Sequence, residues 1–279
     1  MMKRFVLATV SFLSVGVLFA SSTASAVVAA KPRYAALGDS VAAGYGLPVA
    51  ANASAEDRLC GRSTAAYPYQ VATGLNMTLQ HLACTGAKAD EGLYGVQNRN
   101  GTRLTPQLTT AFAPGRPDLI TITIGANDAR WTQFIRDCYV WRCGSTWDDA
   151  RAVVYRADLK AELIWTLYKI RTLSNGNPPK VLMNGYYAPF AAADCAEKQG
   201  KVTVQEVAWL NKQVGLLNQS IQNSAGLYSF ARFVPVSFAG HELCSTQPWV
   251  QGLAAAGPFH PTAAGQTAIA GANLTAYRR

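Results

Sequence analysis

Four short segments of the chain carry residue types that catalyse acyl transfer. They contain a serine at Ser40, a glycine at Gly86, an asparagine at Asn127 and a histidine at His260. Hydrolysis of an ester needs a nucleophile, a base that takes its proton, and donors that stabilise the oxyanion of the tetrahedral intermediate. Serine, histidine and a set of N–H groups can supply these three roles. The segments therefore predict a nucleophilic hydrolytic site.

The surroundings of the serine favour this interpretation. Ser40 follows a short apolar run, Tyr34–Leu37, which is typical of a buried strand that ends in a loop or helix start. A serine at a helix start lies where backbone N–H groups and the helix dipole stabilise developing negative charge. His260 would act as general base toward Ser40 and then as general acid toward the leaving alkoxide.

Taken together, the four segments resemble the SGNH (GDSL) hydrolase superfamily. They read Gly38-Asp39-Ser40-Val41-Ala42-Ala43-Gly44, Cys84-Thr85-Gly86-Ala87, Ile124-Gly125-Ala126-Asn127-Asp128 and Gly257-Pro258-Phe259-His260-Pro261-Thr262. The serine, glycine, asparagine and histidine that name the superfamily occur here in its order. The resemblance implies an oxyanion hole formed by the backbone N–H groups of Ser40 and Gly86 and the side-chain amide of Asn127. It also implies a flavodoxin-like three-layer α/β/α sandwich with a central parallel sheet.

One position departs from the pattern of the family. Many members carry an aspartate three residues before the histidine, and that carboxylate orients the ring. This chain has Gly257 there, with no acidic residue beside it. Some members use a main-chain carbonyl instead, so we expect the Gly257 carbonyl to orient His260, with Glu242 as a second candidate. A carbonyl can fix the tautomer but stabilises the imidazolium less than a carboxylate does.

The remaining elements follow from the hydrophobic pattern. Further apolar runs predict strands at Met77–Leu82, Leu119–Ile124, Val181–Asn184 and Phe233–Val236. Helical spacing appears in Leu159, Leu163, Leu167 and Ile170, and again in Val207, Leu210, Val214, Leu217 and Ile221, with Gly226 placed to end the second helix. Alternating strands and helices favour an α/β fold whose sites form at the carboxyl ends of parallel strands. The stretch Asp137–Asp149 is expected to be an excursion from the core.

Several other residues have structural interpretations. We expect Asp39 and Asp128 to cap turns or helices, and His81 and His241 to be structural. The tryptophans are assigned no role. The serine lacks the G-x-S-x-G elbow of an α/β-hydrolase, because Val41 and Ala42 follow it. A glycine pattern that would bind a nucleotide is incomplete, since Val49 stands at the third glycine position.

The first residues predict a secretory signal peptide over residues 1–26. Lys3 and Arg4 precede an apolar stretch, Phe5–Ala20, and Ala24 and Ala26 form an A-x-A cleavage site. The apolar stretch is short for a bilayer span. We therefore expect a secreted protein without a stable membrane anchor, in which residues 27–279 form a single domain.

Six cysteines follow the signal sequence, and an even count in an exported protein predicts a disulfide framework. Six cysteines allow 15 pairings in principle. Pairing of nearest neighbours is the hypothesis chosen here, because each bridge then closes a local loop: Cys60 with Cys84, Cys138 with Cys143 and Cys195 with Cys244. Since the cysteines are scattered and the chain has only 3 histidines, neither a metal site nor another cofactor is expected.

The net charge is +9, but the positive residues are spread singly along the chain. No run of Lys and Arg with interleaved aromatic residues predicts nucleic-acid binding. We expect a monomer that acts on a small-molecule or lipid ester. The resemblance to secreted, disulfide-bonded members of the SGNH superfamily implies a lipase or carboxylesterase. Two other enzyme activities remain as alternatives, a phospholipase and an esterase of O-acetylated polysaccharides. Outside them, the alternative is a secreted glycan- or lipid-binding module that has lost turnover.

Overall fold

Strands and helices alternate through the part of the chain that the computed structural model describes, which is residue 2 and residues 30–191 and 202–279. The strands are β1 Arg33–Gly38, β2 Thr78–His81, β3 Gln97–Arg99, β4 Thr102–Leu104, β5 Leu119–Thr123, β6 Lys180–Asn184 and β7 Ala231–Val234. The helices are α1 Ser40–Ala43, α2 Ala55–Cys60, α3 Tyr67–Leu75, α4 Gln107–Phe112, α5 Trp131–Val140, α6 Thr146–Leu173, α7 Val204–Ala225 and α8 Ala263–Arg278.

Five strands form a parallel sheet in the order β2-β1-β5-β6-β7. Its central strands are buried on both faces, which explains why their sequences are continuous apolar runs without alternation. Tyr34 pairs with Leu119 and Gly38 with Thr123, so β1 and β5 end side by side.

Helices cover both faces of this sheet. Helix α3 packs against α8, whereas α6 packs against α7. Because α7 and α8 both contact β6 and β7 but pack with different partners, they lie on opposite faces. The predicted three-layer α/β/α sandwich with a central parallel sheet is confirmed.

The strand order changes direction at β1. The chain passes from β1 outward to β2 and later returns to β5 on the other side of β1. In open parallel sheets the crevice at such a switch point, at the carboxyl ends of the strands, is where ligands bind. The segments that follow β1, β2 and β5 carry Ser40, Gly86 and Asn127 respectively.

One strand of the sheet and a separate hairpin differ from prediction. Strand β7 ends at Val234 rather than at Val236, because Pro235 has no N–H to donate to a strand ladder. The antiparallel hairpin of β3 and β4 was not predicted. Its turn, Asn100-Gly101, has positive φ at both residues, which is the conformation that an Asn-Gly pair favours in a two-residue hairpin.

Two of the three predicted disulfides lie within the described residues. Cys60 is bonded to Cys84 and Cys138 to Cys143. Cys195 lies outside the described residues, so its pairing with Cys244 stays a prediction. The expected cleavage site after Ala26 also lies outside them. No helix in the described ranges is long and apolar enough to cross a membrane.

Candidate active site

Ser40 is the first residue of α1, directly after the end of β1. Gly38 has φ +137°, and a side chain there would collide with the carbonyl oxygen of Thr123 on the adjacent strand. The same Thr123 carbonyl accepts the backbone N–H of Asp39 at 2.9 Å. The Asp39 carboxylate then caps α1 by accepting the N–H of Val41 at 2.9 Å, as predicted for a structural aspartate. These contacts fix where the Ser40 hydroxyl lies.

Tyr186 connects this cap to the segment that contains Asn127, and the sequence analysis missed it. Its hydroxyl donates to Asp39 Oδ2 and accepts the backbone N–H of Ala126 at 3.2 Å. Burial raises the pKa of Asp39 to about 7, although the hydrogen bonds from Tyr186 and Val41 lower it. Tyr186 follows the end of β6 by two residues, and that position next to a central strand end was the signal available in the sequence.

His260 is in hydrogen-bond contact with the serine. Its Nε2 lies 2.8 Å from Ser40 Oγ, and its Nδ1 lies 3.0 Å from the carbonyl oxygen of Pro258. Because a carbonyl oxygen only accepts, Nδ1 carries the proton and Nε2 is free to accept the serine proton. The ring is therefore held in the tautomer that a general base requires.

The orienting carbonyl is one residue closer to His260 than predicted. The Gly257 carbonyl accepts the backbone N–H of His260 at 3.0 Å and so closes a tight turn, which leaves the Pro258 carbonyl facing the ring. Within the described part of the chain, Ser40 and Pro258 are the hydrogen-bond partners of the ring nitrogens, and Glu242 is not among them.

Burial lowers the pKa of His260 from its ordinary value of 6.5. The nearby carbonyls of Pro258 and Gly257 raise this pKa but do not outweigh the burial. The imidazole is consequently neutral at pH 7, which is the state that a base needs.

Phe259 holds a strained backbone beside the histidine. Its φ is +64°, a region that costs a non-glycine residue about 1–3 kcal/mol. Two hydrogen bonds maintain it: its carbonyl accepts the Tyr187 hydroxyl at 2.7 Å, and its N–H donates to the Gln251 carbonyl at 2.9 Å. This backbone conformation belongs to the turn that brings the His260 ring into contact with Ser40.

The segment with Gly86 is held from three sides. The N–H of Cys84 donates to the Gly38 carbonyl at 2.9 Å, and the N–H of Thr85 donates to the Cys60 carbonyl at 3.1 Å. From the hairpin, Gln97 Nε2 donates to the Thr85 carbonyl at 3.0 Å. Gly86 itself has φ +81°. Within the described residues its backbone N–H and that of Ser40 donate no hydrogen bond, so both are free to bind a ligand.

Asn127 and Asp128 tie the segment after β5 to the segment after β2. Asn127 Nδ2 donates to the Ala87 carbonyl at 2.8 Å, which leaves its second N–H available. Asp128 does not cap a helix as predicted, because its carboxylate accepts the backbone N–H of Ala89 at 3.0 Å instead. Burial raises the pKa of Asp128 to about 6.

A cavity of about 540 Å³ opens next to the serine and the histidine. Its wall is mainly apolar and includes Trp131, Ile135, Tyr139, Val214, Leu217 and Leu253. Trp131, to which the sequence analysis gave no role, is thus part of the wall. By contrast, Trp249 stacks on His241, whose Nδ1 contacts the Gln247 carbonyl at 2.9 Å, and His81 contacts the Ala42 carbonyl through Nε2. Both histidines have structural contacts.

No group of metal-binding side chains was found among residues 2, 30–191 and 202–279. The arrangement described above relies on a serine, a histidine and N–H donors. It fits hydrolysis of an ester by acyl transfer to a serine.

The fold and this site define a hydrolase of the lipase and esterase class. Residues 36–268 match the model of the GDSL-like Lipase/Acylhydrolase family, and the chain belongs to that family. It is a carboxylic ester hydrolase of the GDSL type.

Similar proteins come from Streptomyces. A lipase of Streptomyces rimosus is 31% identical over 272 residues, which is 93% of each chain, and Lipase 1 of Streptomyces coelicolor is 30% identical over 95% of this chain and 96% of that one. The crystal structure of the extracellular lipase of S. rimosus aligns with a TM-score of 0.65 at 26% identity over 89% of this chain and 100% of that one. The phospholipase A1 of Streptomyces albidoflavus shares the fold, with a TM-score of 0.65 at 24% identity over 90% of this chain and 100% of that one.

Proposed function

We propose that this protein is a secreted serine esterase or lipase that hydrolyses carboxylic esters through an acyl-enzyme on Ser40, with His260 as general base. The observation that carries the proposal is the 2.8 Å contact between His260 Nε2 and Ser40 Oγ at the wall of an apolar cavity. The tautomer fixed by the Pro258 carbonyl supports the same assignment.

In the first half of the reaction, Ser40 Oγ attacks the ester carbonyl while His260 Nε2 takes the hydroxyl proton. The tetrahedral oxyanion is stabilised by the N–H groups of Ser40 and Gly86 and by the amide of Asn127. His260 then protonates the alkoxide as the bond to the alcohol breaks. A water molecule, deprotonated by His260, attacks the acyl-enzyme and releases the carboxylic acid and free Ser40.

Two observations support this oxyanion hole: the backbone N–H groups of Ser40 and Gly86 have no acceptor among the described residues, and the Asn127 amide has a second N–H available. Losing one such donor typically costs about 2.7–4 kcal/mol of transition-state stabilisation. Pro258 is the orienting group in place of an acid. We keep Gly257 in a secondary role, because its carbonyl closes the turn that brings the Pro258 carbonyl to the ring.

The cavity wall favours an acyl chain of several carbons over an acetyl group. Burying each methylene of an acyl chain in apolar surroundings contributes about 0.8 kcal/mol. An acetyl group leaves most of a 540 Å³ apolar cavity without contacts. Lipids and medium-chain esters therefore rank above O-acetylated polysaccharides, and phospholipids stay within the proposed class.

Secretion is proposed on the predicted signal peptide at residues 1–26 and on the disulfides, which form and persist in oxidising compartments. The similar lipase of S. rimosus is an extracellular protein, which agrees with this proposal.

The experiment that tests the proposal is turnover of a p-nitrophenyl ester series from acetyl to palmitoyl by residues 27–279, measured beside Ser40→Ala. We expect turnover by the wild type with an optimum beyond acetyl, and loss of kcat by a factor of about 10⁴ or more in the variant. Absence of turnover by the wild type on every ester overturns the proposal. That result would favour the non-catalytic binding module, which has no use for an activated serine.

A further inference from the structure

Three large apolar side chains lie exposed where α5 ends and α6 begins. Val140 is 59% exposed, Trp141 77% and Trp147 69%. We call these three residues the apolar corner. Exposed tryptophans in so short a stretch contribute little to a hydrophobic core, and such apolar surface on a protein typically marks an interaction site.

The apolar corner is held rigidly. The Cys138–Cys143 disulfide closes the chain around Trp141. A capping box at Ser145 and Asp148 fixes the first turn of α6, in which Trp147 lies. The side chains are therefore presented to solvent by a constrained loop, which reduces the entropy lost when they bind.

The apolar corner continues directly from the wall of the active-site cavity. On α5, Ile135, Arg136 and Tyr139 line that cavity, and Val140 and Trp141 follow Tyr139 in the chain. A surface that docks at the apolar corner thus lies next to Tyr139, a residue of the cavity wall.

Two exposed arginines, Arg136 and Arg142, lie in the same stretch of chain as the apolar corner. The nearby acids have partners within the protein. Asp148 accepts the Ser145 hydroxyl and pairs with Arg151, and Asp149 accepts the Trp209 indole N–H at 2.9 Å. The Asp137 side chain is only 17% exposed and pairs with Arg151 at 3.6 Å and with Arg136 at 3.8 Å, and Glu206 accepts the Cys143 N–H at 3.1 Å.

We propose that the apolar corner docks this protein onto an anionic phospholipid surface, with Trp141 and Trp147 in the interfacial layer and the arginines against the headgroups. Tryptophan prefers the membrane–water interface because its ring is amphipathic. A Lys or Arg side chain near an anionic surface adds to the attraction. This inference rests on the proposed function, because a docked phospholipid surface would supply ester substrates to the active site.

The test is sedimentation with phosphatidylglycerol vesicles and with phosphatidylcholine vesicles. It uses residues 27–279 carrying Ser40→Ala, so that hydrolysis does not alter the vesicles. The variant is Trp141→Ala/Trp147→Ala. The matched control is Trp165→Ala, which removes a 46% exposed tryptophan from the other half of the same helix α6.

We expect binding to phosphatidylglycerol vesicles that exceeds binding to phosphatidylcholine vesicles. The double variant should bind about tenfold more weakly or worse, while the Trp165 control keeps wild-type binding. With Ser40 intact, the double variant should keep wild-type turnover of soluble p-nitrophenyl butyrate, which shows that its fold and site are preserved.

Three results overturn the inference: no binding of the parent to phosphatidylglycerol vesicles, equal loss in the Trp165 control, or a double variant that binds vesicles as the parent does. If the parent protein is a dimer, and the double variant is a monomer that binds vesicles as the parent does, the occupant of the apolar corner is a second copy of the chain. The vesicle assay uses a Ser40→Ala protein and the ester assay does not, so failure of this inference and failure of the esterase proposal are distinguishable.

Discussion

Among single residues, the proposed catalytic histidine, His260, is oriented by a neutral carbonyl rather than a carboxylate. The Pro258 carbonyl fixes the proton on Nδ1, but it brings no negative charge to stabilise the imidazolium. Burial keeps the pKa of His260 below 6.5, although the hydrogen bond to the Pro258 carbonyl acts in the opposite direction.

This leads to a prediction for the pH profile of kcat/KM. Neutral His260 is the active form, so activity falls as pH drops through its pKa, and the midpoint of that acidic limb should lie below 6.5. The profile of a soluble p-nitrophenyl ester measures it. Because the pKa of Asp39 is about 7, the same profile in Asp39→Asn is the control, and the limb should persist there. A midpoint above 6.5 in both proteins would contradict the assignment.

Tyr186 links Asp39, which precedes the proposed nucleophile Ser40, to Ala126, which precedes the proposed oxyanion donor Asn127. Tyr186→Phe leaves the Ala126 N–H and one Asp39 oxygen without their partner in the interior, which costs about 1–3 kcal/mol of stability. Since Ala126 precedes Asn127, kcat should also fall, by about tenfold or more, with a smaller change in KM.

The matched control for Tyr186 is Tyr228→Phe. Tyr228 donates to the Ile164 carbonyl at 3.2 Å, away from the site, so its loss should reduce stability without reducing kcat. Thermal unfolding and steady-state kinetics on both variants separate the two effects. Equal kcat values in the two variants would show that Tyr186 serves stability alone.

At the scale of elements, the segments that carry the chemistry are held by contacts that run between strand ends. Strands β1, β5 and β6 could be predicted closely, because buried parallel strands are continuous apolar runs. The hairpin of β3 and β4 could not, since its strands are short and polar, although Asn100-Gly101 was a usable turn signal.

In the candidate site, too, some residues could be predicted from the sequence and others could not. Ser40 and His260 were found from their motifs, and the structure brings them into contact. Pro258 was missed because the choice between adjacent carbonyls depends on how the turn closes, which requires the backbone angles of Phe259. Tyr186 was missed because its role depends on long-range contacts with two other segments.

The two described disulfides should differ in their effect on catalysis. Cys60–Cys84 joins residues 24 positions apart and anchors the segment that carries Gly86, whereas Cys138–Cys143 spans 5 positions at the edge of the cavity. We expect Cys60→Ala/Cys84→Ala to lose about 2–4 kcal/mol of stability and to lower kcat on a soluble ester. Cys138→Ala/Cys143→Ala should lose less stability and less kcat. Urea unfolding and steady-state kinetics measure the two quantities. The opposite order would contradict this account of the Gly86 segment.

At the scale of the whole molecule, the features of this chain fit action at a lipid–water interface. The topological switch point places three of the four motif segments, those with Ser40, Gly86 and Asn127, at the carboxyl ends of the strands. The fourth segment brings His260 into contact with Ser40. An apolar cavity opens there, and the apolar corner lies beside it. The net charge of +9 favours approach to anionic surfaces at low ionic strength.

Covalent labelling of residues 27–279 with an alkyl fluorophosphonate, read by mass spectrometry of the intact protein and its peptides, tests whether Ser40 is the nucleophile. We expect one phosphonyl adduct per chain, on Ser40, with loss of ester turnover in proportion to labelling. His260→Ala should label far more slowly. An adduct on another residue, or full labelling that leaves turnover intact, would contradict Ser40 as the nucleophile.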